Sequence, residues 1–406
     1  MNIYISGISG TGMGPLALMA KAAGFTVWGS DLAKGAIYDE LIKAGIEVKI
    51  ELQDGKFLRE KLNLGVDWFV YTSALPEEHA ELVMVREAGI KVTKRDDFTA
   101  FLVEKLGLKM IAVAGTHGKT TTTAMIVWAA LKLGLPVAYI VGTTLGFAPS
   151  GSYKMGDEYF IYEADEYDRN FLKYHPWLTV LPAVSYDHPD IYPTVEDYRV
   201  AFEQFKEQSE KVVEESSFNI SEFGLAGEVR RKDAALAAEA ILAMAPEISR
   251  GKIKEILGKF PGVGRRFEKI TNGIYTDYAH HPEEIAATMD IVKDEKRLHD
   301  KKGVVVVYQP HQNTRQHEVR EGYFDAFIGA DKIYWLPTYL TREDLELPII
   351  SSEELIAGLK NKGIAEAAEL NDELAEKLQK YIDDDYLVVL MTAGPADEWL
   401  RGKFTS

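Results

Sequence analysis

The chain has 406 residues, is 46% hydrophobic and 27% charged, carries a formal charge of −17 and contains no cysteine. That length calls for two or three domains, and the missing cysteines exclude disulfides, thiolate metal ligands and a cysteine nucleophile. The acid excess argues against nucleic-acid and anionic-membrane surfaces, which need clustered Lys and Arg.

No apolar run approaches the ~20 residues of a membrane span. Met1–Ser6 enters a strand pattern without a basic flank, so no signal peptide is expected and the cytoplasm is the default location. Three α/β blocks in series are predicted, covering residues 1–107, 108–261 and 262–406. In the first, strands read at Asn2–Ser6, Thr26–Gly29, Glu47–Ile50, Trp68–Thr72 and Lys91–Thr93, with helical patterns such as Leu16–Ala23 and Ala80–Ala88 between them. Alternation of this kind means a parallel sheet covered by helices.

The second block opens on the strand Lys109–Ala114. Further strands are expected at Val137–Val141, Tyr159–Tyr162 and Thr179–Val184, with helices over Lys119–Leu133, Val195–Val212 and Asp233–Met244 and a loop from Glu214 to Gly227. The third begins at the Pro261-Gly262 turn. It alternates strand Gly273–Asp277, helix Pro282–Val292, strand Gly303–Tyr308, helix Glu318–Ile328 and strand Lys332–Leu336, then helix Asp372–Ile382 and strand Tyr386–Met391.

Between the first strand and helix of block two lies Gly115-Thr116-His117-Gly118-Lys119-Thr120, followed by Thr121. Glycines let backbone N–H groups turn toward phosphate oxygens, and the helix N-terminus adds partial positive charge. Lys119 can reach the β/γ-phosphates of a nucleoside triphosphate, and Thr120 can ligate Mg²⁺. Two residues separate the glycines where the common P-loop has four, so this is a shorter variant. The strand ending at Tyr162 delivers Glu163, Asp165 and Glu166, and the next delivers Asp187 and His188. Acids past neighbouring parallel strands share a sheet edge with the loop, which favours Mg²⁺ binding.

Block one has a second glycine turn, Gly7-Ile8-Ser9-Gly10-Thr11-Gly12-Met13, and Asp31 closes its second strand as an acidic ribose ligand does in dinucleotide folds. A nicotinamide dehydrogenase is therefore a rival for this block alone. In block three, Arg265-Arg266 precedes Asp277 and His280-His281-Pro282, and Gln309-Pro310-His311 leads to Arg315. The adjacent histidines at a strand-to-helix turn fit a structural or substrate-facing loop better than a zinc site, and the arginines suit phosphate or carboxylate recognition.

In order and spacing, Gly7–Met13, Thr72-Ser73-Ala74, Gly115–Thr123, Glu163–Glu166, Asp187-His188, Arg265–Glu268, Asp277–Pro282 and Gln309–Arg315 resemble the Mur ligase family of peptidoglycan synthesis, most closely the branch acting on UDP-N-acetylmuramate. The resemblance implies a Rossmann-like UDP-sugar-binding domain, a central P-loop ATPase domain and a Rossmann-like C-terminal domain closing over ATP and the amino acid. The implied reaction passes the γ-phosphoryl of ATP to a substrate carboxylate, and the acyl phosphate is then attacked by an amine.

By motif match, Gly115–Thr121 would bind ATP, with Thr120, Glu163 and His188 on Mg²⁺. Arg266 and Asp277 would contact ATP, and His311 and Arg315 the amino acid or reacting phosphate. Gly7, Gly10, Thr11, Gly12, Met13, Asp31 and Ser73 would bind the sugar nucleotide, in a monomer or weak dimer.

Where the family has Gly-x-His-Asn-x-x-Asn, this chain has Gly227-Glu228-Val229-Arg230-Arg231-Lys232-Asp233, and the stretch before it is short. Gln309-Pro310-His311 and Gly10–Met13 look like the alanine-adding branch. Glu166-Tyr167-Asp168 and Asp187–Ile191 look like the branch that adds a tripeptide. L-Alanine addition is the expected activity, with tripeptide addition, a non-catalytic nucleotide-binding homologue and a folylpolyglutamate-synthase-like ligase as alternatives.

Overall fold

The computed structural model describes residues 1–72, 75–188, 191–341, 343 and 346–405. Ser73 and Ala74, expected near the sugar nucleotide, and Pro189 and Asp190 lie outside the described residues. Among those described, no helix is long and apolar enough to cross a membrane. Contacts divide the chain into two compact units: residues 1–223 with 232–261, and 224–231 with 262–406.

The first unit holds two sheets. Strands β1 (Asn2–Ser6), β2 (Thr26–Asp31), β3 (Glu47–Ile50), β4 (Trp68–Tyr71) and β5 (Lys91–Lys94) pair wholly in parallel in the order β3-β2-β1-β4-β5. Helices α1 (Gly14–Ala22), α2 (Tyr38–Lys43), α3 (Lys56–Leu64), α4 (Ala80–Glu87) and α5 (Arg95–Leu106) connect and cover them. The strand order reverses beside β1, and an open parallel sheet has its crevice at such a point, past the strand ends.

The second sheet comprises β6 (Lys109–Val113), β7 (Val137–Ile140), β8 (Gly151–Ser152), β9 (Tyr159–Glu163), β10 (Leu178–Val180) and β11 (Val212–Val213), ordered β11-β10-β6-β9-β7-β8 with only β8 antiparallel. Helices α6 (Lys119–Leu133), α7 (Val195–Glu207), α8 (Glu228–Met244) and α9 (Arg250–Leu257) accompany it. One apolar cluster runs through both sheets, taking Leu16 and Met19 from α1, Phe98 and Leu102 from α5, and Ala112 and Phe160 from β6 and β9. The sheets are also pinned together by Glu40 of α2, which accepts from the Ser150 amide at 2.7 Å and hydroxyl at 2.9 Å. Beside that bond Gly151 lies against the Pro15 carbonyl so closely that a Cβ would collide with it.

A buried carboxylate organises the first sheet from below. Glu81, fully enclosed, accepts from the hydroxyls of Tyr4 (2.7 Å), Ser6 (2.6 Å) and Ser30 (2.7 Å). Ser6 ends β1 before the Gly7 turn and Ser30 precedes Asp31 at the end of β2, and the Ser30 carbonyl accepts from the Gly7 and Ile8 amides. Buried charge persists where its lone pairs are satisfied in this way.

In the second unit, β12 (Glu268–Thr271), β13 (Ile274–Asp277), β14 (Val304–Gln309), β15 (Lys332–Trp335), β16 (Ala365–Ala367) and β17 (Leu387–Thr392) pair in the order β12-β13-β17-β14-β15-β16, parallel except β12. Its helices are α10 (Pro282–Leu298), α11 (Asn313–Val319), α12 (Ser352–Ala357), α13 (Asp372–Asp383) and α14 (Ala396–Phe404). The all-apolar runs Val304–Tyr308 and Leu387–Met391 are fully buried, as central strands covered on both faces must be.

Four expectations change. The strand expected over Thr179–Val184 stops at Val180, because Pro182 has no N–H to extend the ladder. The helix expected to Val212 ends at Glu207: Gln208 donates to the Leu172 and Tyr174 carbonyls, and Val212–Val213 becomes an edge strand beside β10. The helix expected over Glu318–Ile328 lies earlier, at Asn313–Val319, followed by a 3₁₀ turn through Gly322. Helix α8 starts at Glu228 rather than Asp233. Asp290 and Asp294 of α10 accept from the Glu228 and Gly227 amides, each at 3.0 Å, and so cap a helix start from outside its own sequence.

Candidate active site

Strand β6 is buried and apolar, and it ends in the glycine loop with α6 starting at Lys119. Both glycines are required by the backbone. Gly115 has φ +140° and a Cβ there would lie 2.5 Å from the Ala183 carbonyl; Gly118 has φ +82° and its Cβ would lie 2.7 Å from Asp233 Oδ1. The loop is held from the β10 side: the Thr116 amide donates to the Ala183 carbonyl at 2.7 Å, and its hydroxyl donates to the Ser185 carbonyl at 2.5 Å. The segment after Pro182, freed from the sheet, is thus what fixes the loop. His117 and Thr121 are half-buried on the loop and the first helical turn.

Lys119 folds along this loop. Its Nζ donates to the Gly115 carbonyl at 2.6 Å and lies 2.8 and 3.0 Å from the two oxygens of Glu166. Glu166 is only 1% exposed. Its burial pushes the carboxyl pKa up, but His188 and Lys119 together outweigh that and hold it below the ordinary range. Asp165 beside it is shifted the other way, by burial and by the Glu166 charge.

His188, in the left-handed region at φ +58°, places Nε2 3.7 Å from Glu166 and from Asp187. Burial alone would lower its pKa, and these carboxylates raise it. His188 therefore joins the cluster through Glu166.

Thr120 donates to Glu163 Oε1 at 2.8 Å. The other oxygen of Glu163, Oε2, is buried without a hydrogen-bond partner among the described residues. Gly142 keeps room for it, since a Cβ there would lie 3.1 Å away. An orphaned carboxylate oxygen beside a threonine hydroxyl at the mouth of a phosphate loop fits Mg²⁺, which is held by one or two carboxylates while phosphates and water fill the other positions. Among the described residues no group of three His, Asp or Glu forms a metal cage.

The other glycine turn opens on a pocket of about 390 Å³ in the same unit. Gly7, Gly10, Thr11, Gly12, Met13 and Asp31 all line it. Asp31 is partly committed to shaping the turn, accepting from the Ser9 amide at 2.8 Å. The sequence reading missed the cations of this pocket, Lys94 at the end of β5 and Arg95 at the start of α5, and that Asp165 lines it too. Lys94 pairs with Asp168 at 3.0 Å. A basic pair directly after a short strand was their only signal.

In the second unit Asp277 is buried and accepts from the Phe267 amide (2.6 Å), the Ala279 amide (2.8 Å) and the Thr288 hydroxyl (3.2 Å). Burial raises its pKa, against the nearby Arg266 charge. It shapes the turn that carries Arg265 and Arg266, whose guanidiniums lie over the Tyr278 ring at 4.6 and 5.1 Å. His311 follows β14, with its ring 5.5 Å from that of His280. Burial holds the His280 pKa down, and the Arg315 charge adds to this against Glu284. His280, His311 and Arg315 thus gather past the ends of β13 and β14. His280 and His281 both donate backbone amides to Glu284, at 3.1 and 3.3 Å.

Fold and site define a class: an α/β enzyme with a glycine loop between a buried strand and a helix, an unpartnered carboxylate oxygen at the loop mouth and a second glycine pocket in the same unit. Comparison with known proteins is more specific. Residues 2–105 match the model "Mur ligase family, catalytic domain", 113–214 the "Mur ligase middle domain" and 265–394 the "Mur ligase, glutamate ligase domain". The UDP-N-acetylmuramate–L-alanine ligase of Fusobacterium nucleatum is 30% identical over 458 aligned positions, covering 97% of this chain and 94% of the relative. That alignment is longer than the chain's 406 residues, so the relative carries segments with no counterpart here.

Among solved structures, the UDP-N-acetylmuramate-alanine ligase of Thermotoga maritima superposes with a TM-score of 0.80 at 22% identity, over 100% of this chain and 98% of that one. A murein peptide ligase from Psychrobacter arcticus gives 0.65 at 24%, with the same coverage. These two establish the fold. The chain belongs to the Mur ligase family.

Proposed function

We propose that this chain is an ATP-dependent ligase that joins L-alanine to the lactyl carboxylate of UDP-N-acetylmuramate in peptidoglycan precursor synthesis. The observation that carries this reading is the convergence of Lys119, Thr120 and Glu163 at one loop mouth, in a chain similar to alanine-adding ligases along nearly its whole length. The division of labour follows the three sheets. The Gly7–Met13 pocket takes the sugar nucleotide, the β6 loop takes ATP, and the unit with His311 and Arg315 contributes to the amine side.

In this scheme the substrate carboxylate attacks the γ-phosphorus and ADP leaves; the amine then attacks the acyl carbon and phosphate leaves. Lys119 and the loop amides stabilise charge on the phosphates, which is where catalysis of phosphoryl transfer is concentrated. Thr120 and Glu163 would hold Mg²⁺, which supplies further charge neutralisation when bound. Glu166 keeps the Lys119 ammonium at the loop, and His188 adjoins it. Arg266 would meet ATP, while Asp277 holds the turn that presents Arg266. Lys94 and Arg95 supply positive charge opposite the glycine turn, suited to a diphosphate or carboxylate.

A second reading is addition of a tripeptide to the same sugar nucleotide, favoured by Glu166-Tyr167-Asp168 and the Asp187–Ile191 stretch. One assay separates them: ADP release with ATP, Mg²⁺ and UDP-N-acetylmuramate, run with L-alanine in one arm and the tripeptide in the other. Turnover with L-alanine supports the first reading, and turnover with the tripeptide alone replaces it. Silence in both arms from folded protein rejects both and favours a non-catalytic homologue.

A further inference from the structure

At the start of α5, Asp96 is 4% exposed, yet it carries a carboxylate. Three groups from different parts of the first unit converge on it. The Tyr162 and Tyr174 hydroxyls each donate to Oδ1 at 2.9 Å, and the Arg95 guanidinium donates to the same oxygen at 3.1 and 3.3 Å. Both tyrosines are buried, and Tyr162 immediately precedes Glu163 on β9. The Arg95 side chain lies directly on the glycine turn, where a Cβ at Gly12 would be 2.9 Å from its Nη1. Asp165, past the end of β9, lies 4.0 Å from Arg95 on its other flank.

Arginine is a long side chain with roughly 2 kcal/mol of rotamer entropy, and a guanidinium recognises an anion well only when its plane is fixed beforehand. Asp96 does the fixing here. Its own orientation is set by two buried phenols, one of them on a strand of the second sheet.

We infer that Asp96 is a positioning residue for sugar-nucleotide binding, locking the Arg95 guanidinium against Gly12 so that it faces the pocket. This rests on the sugar-nucleotide reading of that pocket. The two tyrosines are the anchor, and Tyr162 ties the pocket wall to the strand that carries Glu163.

The test is a double-mutant cycle on UDP-N-acetylmuramate affinity, measured by titration calorimetry with Asp96→Asn, Arg95→Lys and the double variant. Asparagine keeps an acceptor for the tyrosines but loses the charge that orients Arg95. About a tenfold weaker affinity is expected from Asp96→Asn, the scale of a lost charge-assisted hydrogen bond. Because Asp96 acts through Arg95, the double variant should bind no more weakly than Arg95→Lys alone. ATP affinity should stay unchanged throughout.

Additive losses, or an equal loss of ATP affinity, would overturn the inference in favour of a general structural role. If Asp96→Asn does not fold, Tyr174→Phe removes one anchor and should weaken binding by about twofold, again only when Arg95 is present. An unchanged affinity would overturn the inference. No binding by the unaltered protein would instead refute the pocket assignment, and the inference with it.

Discussion

After β1 the chain turns through Gly7–Gly12 into α1, and after β6 it turns through Gly115–Gly118 into α6. Both turns follow an apolar parallel strand, and both sit where a sheet changes direction. They differ in what lies around the glycines. The second turn carries its own cation, Lys119, bound to a buried carboxylate, and its Thr120 donates to one oxygen of Glu163 while the other is left without a partner. The first turn carries no charge: its support is Glu81 beneath and Asp31 beside it, and its cations, Lys94 and Arg95, come from another element. One device thus serves two tasks. In the proposed function the turn that reacts would bring fixed charge to the phosphorus, while the turn that only holds would leave charge to its surroundings.

That contrast can be broken most sharply at Lys119. Lys119→Ala should lower turnover by about 10³-fold, since it deletes the charge aimed at the transferred group. It also leaves Glu166 buried beside an empty position, so thermal stability should fall as well. The double variant Lys119→Ala/Glu166→Gln should recover melting temperature but not turnover. Recovery of both would reduce the lysine to a structural partner.

Glu163→Gln is next. It should raise the Mg²⁺ concentration for half-maximal turnover by about 10–100-fold, with sugar-nucleotide affinity untouched. An unaltered Mg²⁺ dependence would move the cation site elsewhere.

On the other side of the comparison, Glu81→Gln turns an amide toward groups that all donate. It should cost about 1–3 kcal/mol in denaturant unfolding. The KM for the sugar nucleotide should rise while that for ATP holds. A shift in both would mean the two turns are not independent.

The smallest effect concerns pH. Glu166 has its folded pKa below the unfolded value, so its contribution to stability is present above that value. It is lost as pH falls through the lower, folded value. Glu166→Gln should flatten the acid limb of the stability curve and leave the neutral plateau's slope unchanged.

Much of this was legible beforehand, because the relevant signals are local. Apolar runs bounded by glycine located β1, β3, β6 and α6 to within a residue, and acids just past Tyr162 placed Glu163 on the loop's edge. What escaped was set by distant partners. Nothing near Glu228 announces a helix start capped by Asp290 and Asp294 of α10. The grip of Glu166 on Lys119 spans 47 positions. The Asp96 cluster joins residues 66 and 78 positions apart, so nothing local singles out its carboxylate. Asp277 shows the converse: its place in the motif was visible, but only the three bonds it accepts reveal that it works on the turn.

The contact between Gly151 and the Pro15 carbonyl, with Glu40 gripping Ser150 beside it, bears on which acids could be accepted. It welds the helix behind one glycine turn to the sheet that carries the other. In the proposed function a molecule anchored by its diphosphate at the first turn would present its carboxylate at the second across a span set by this joint. Such a joint measures its substrate as a gauge block measures a gap. An acid one or two bonds too long or too short would bind and still not react, so discrimination by length would fall on kcat rather than on KM.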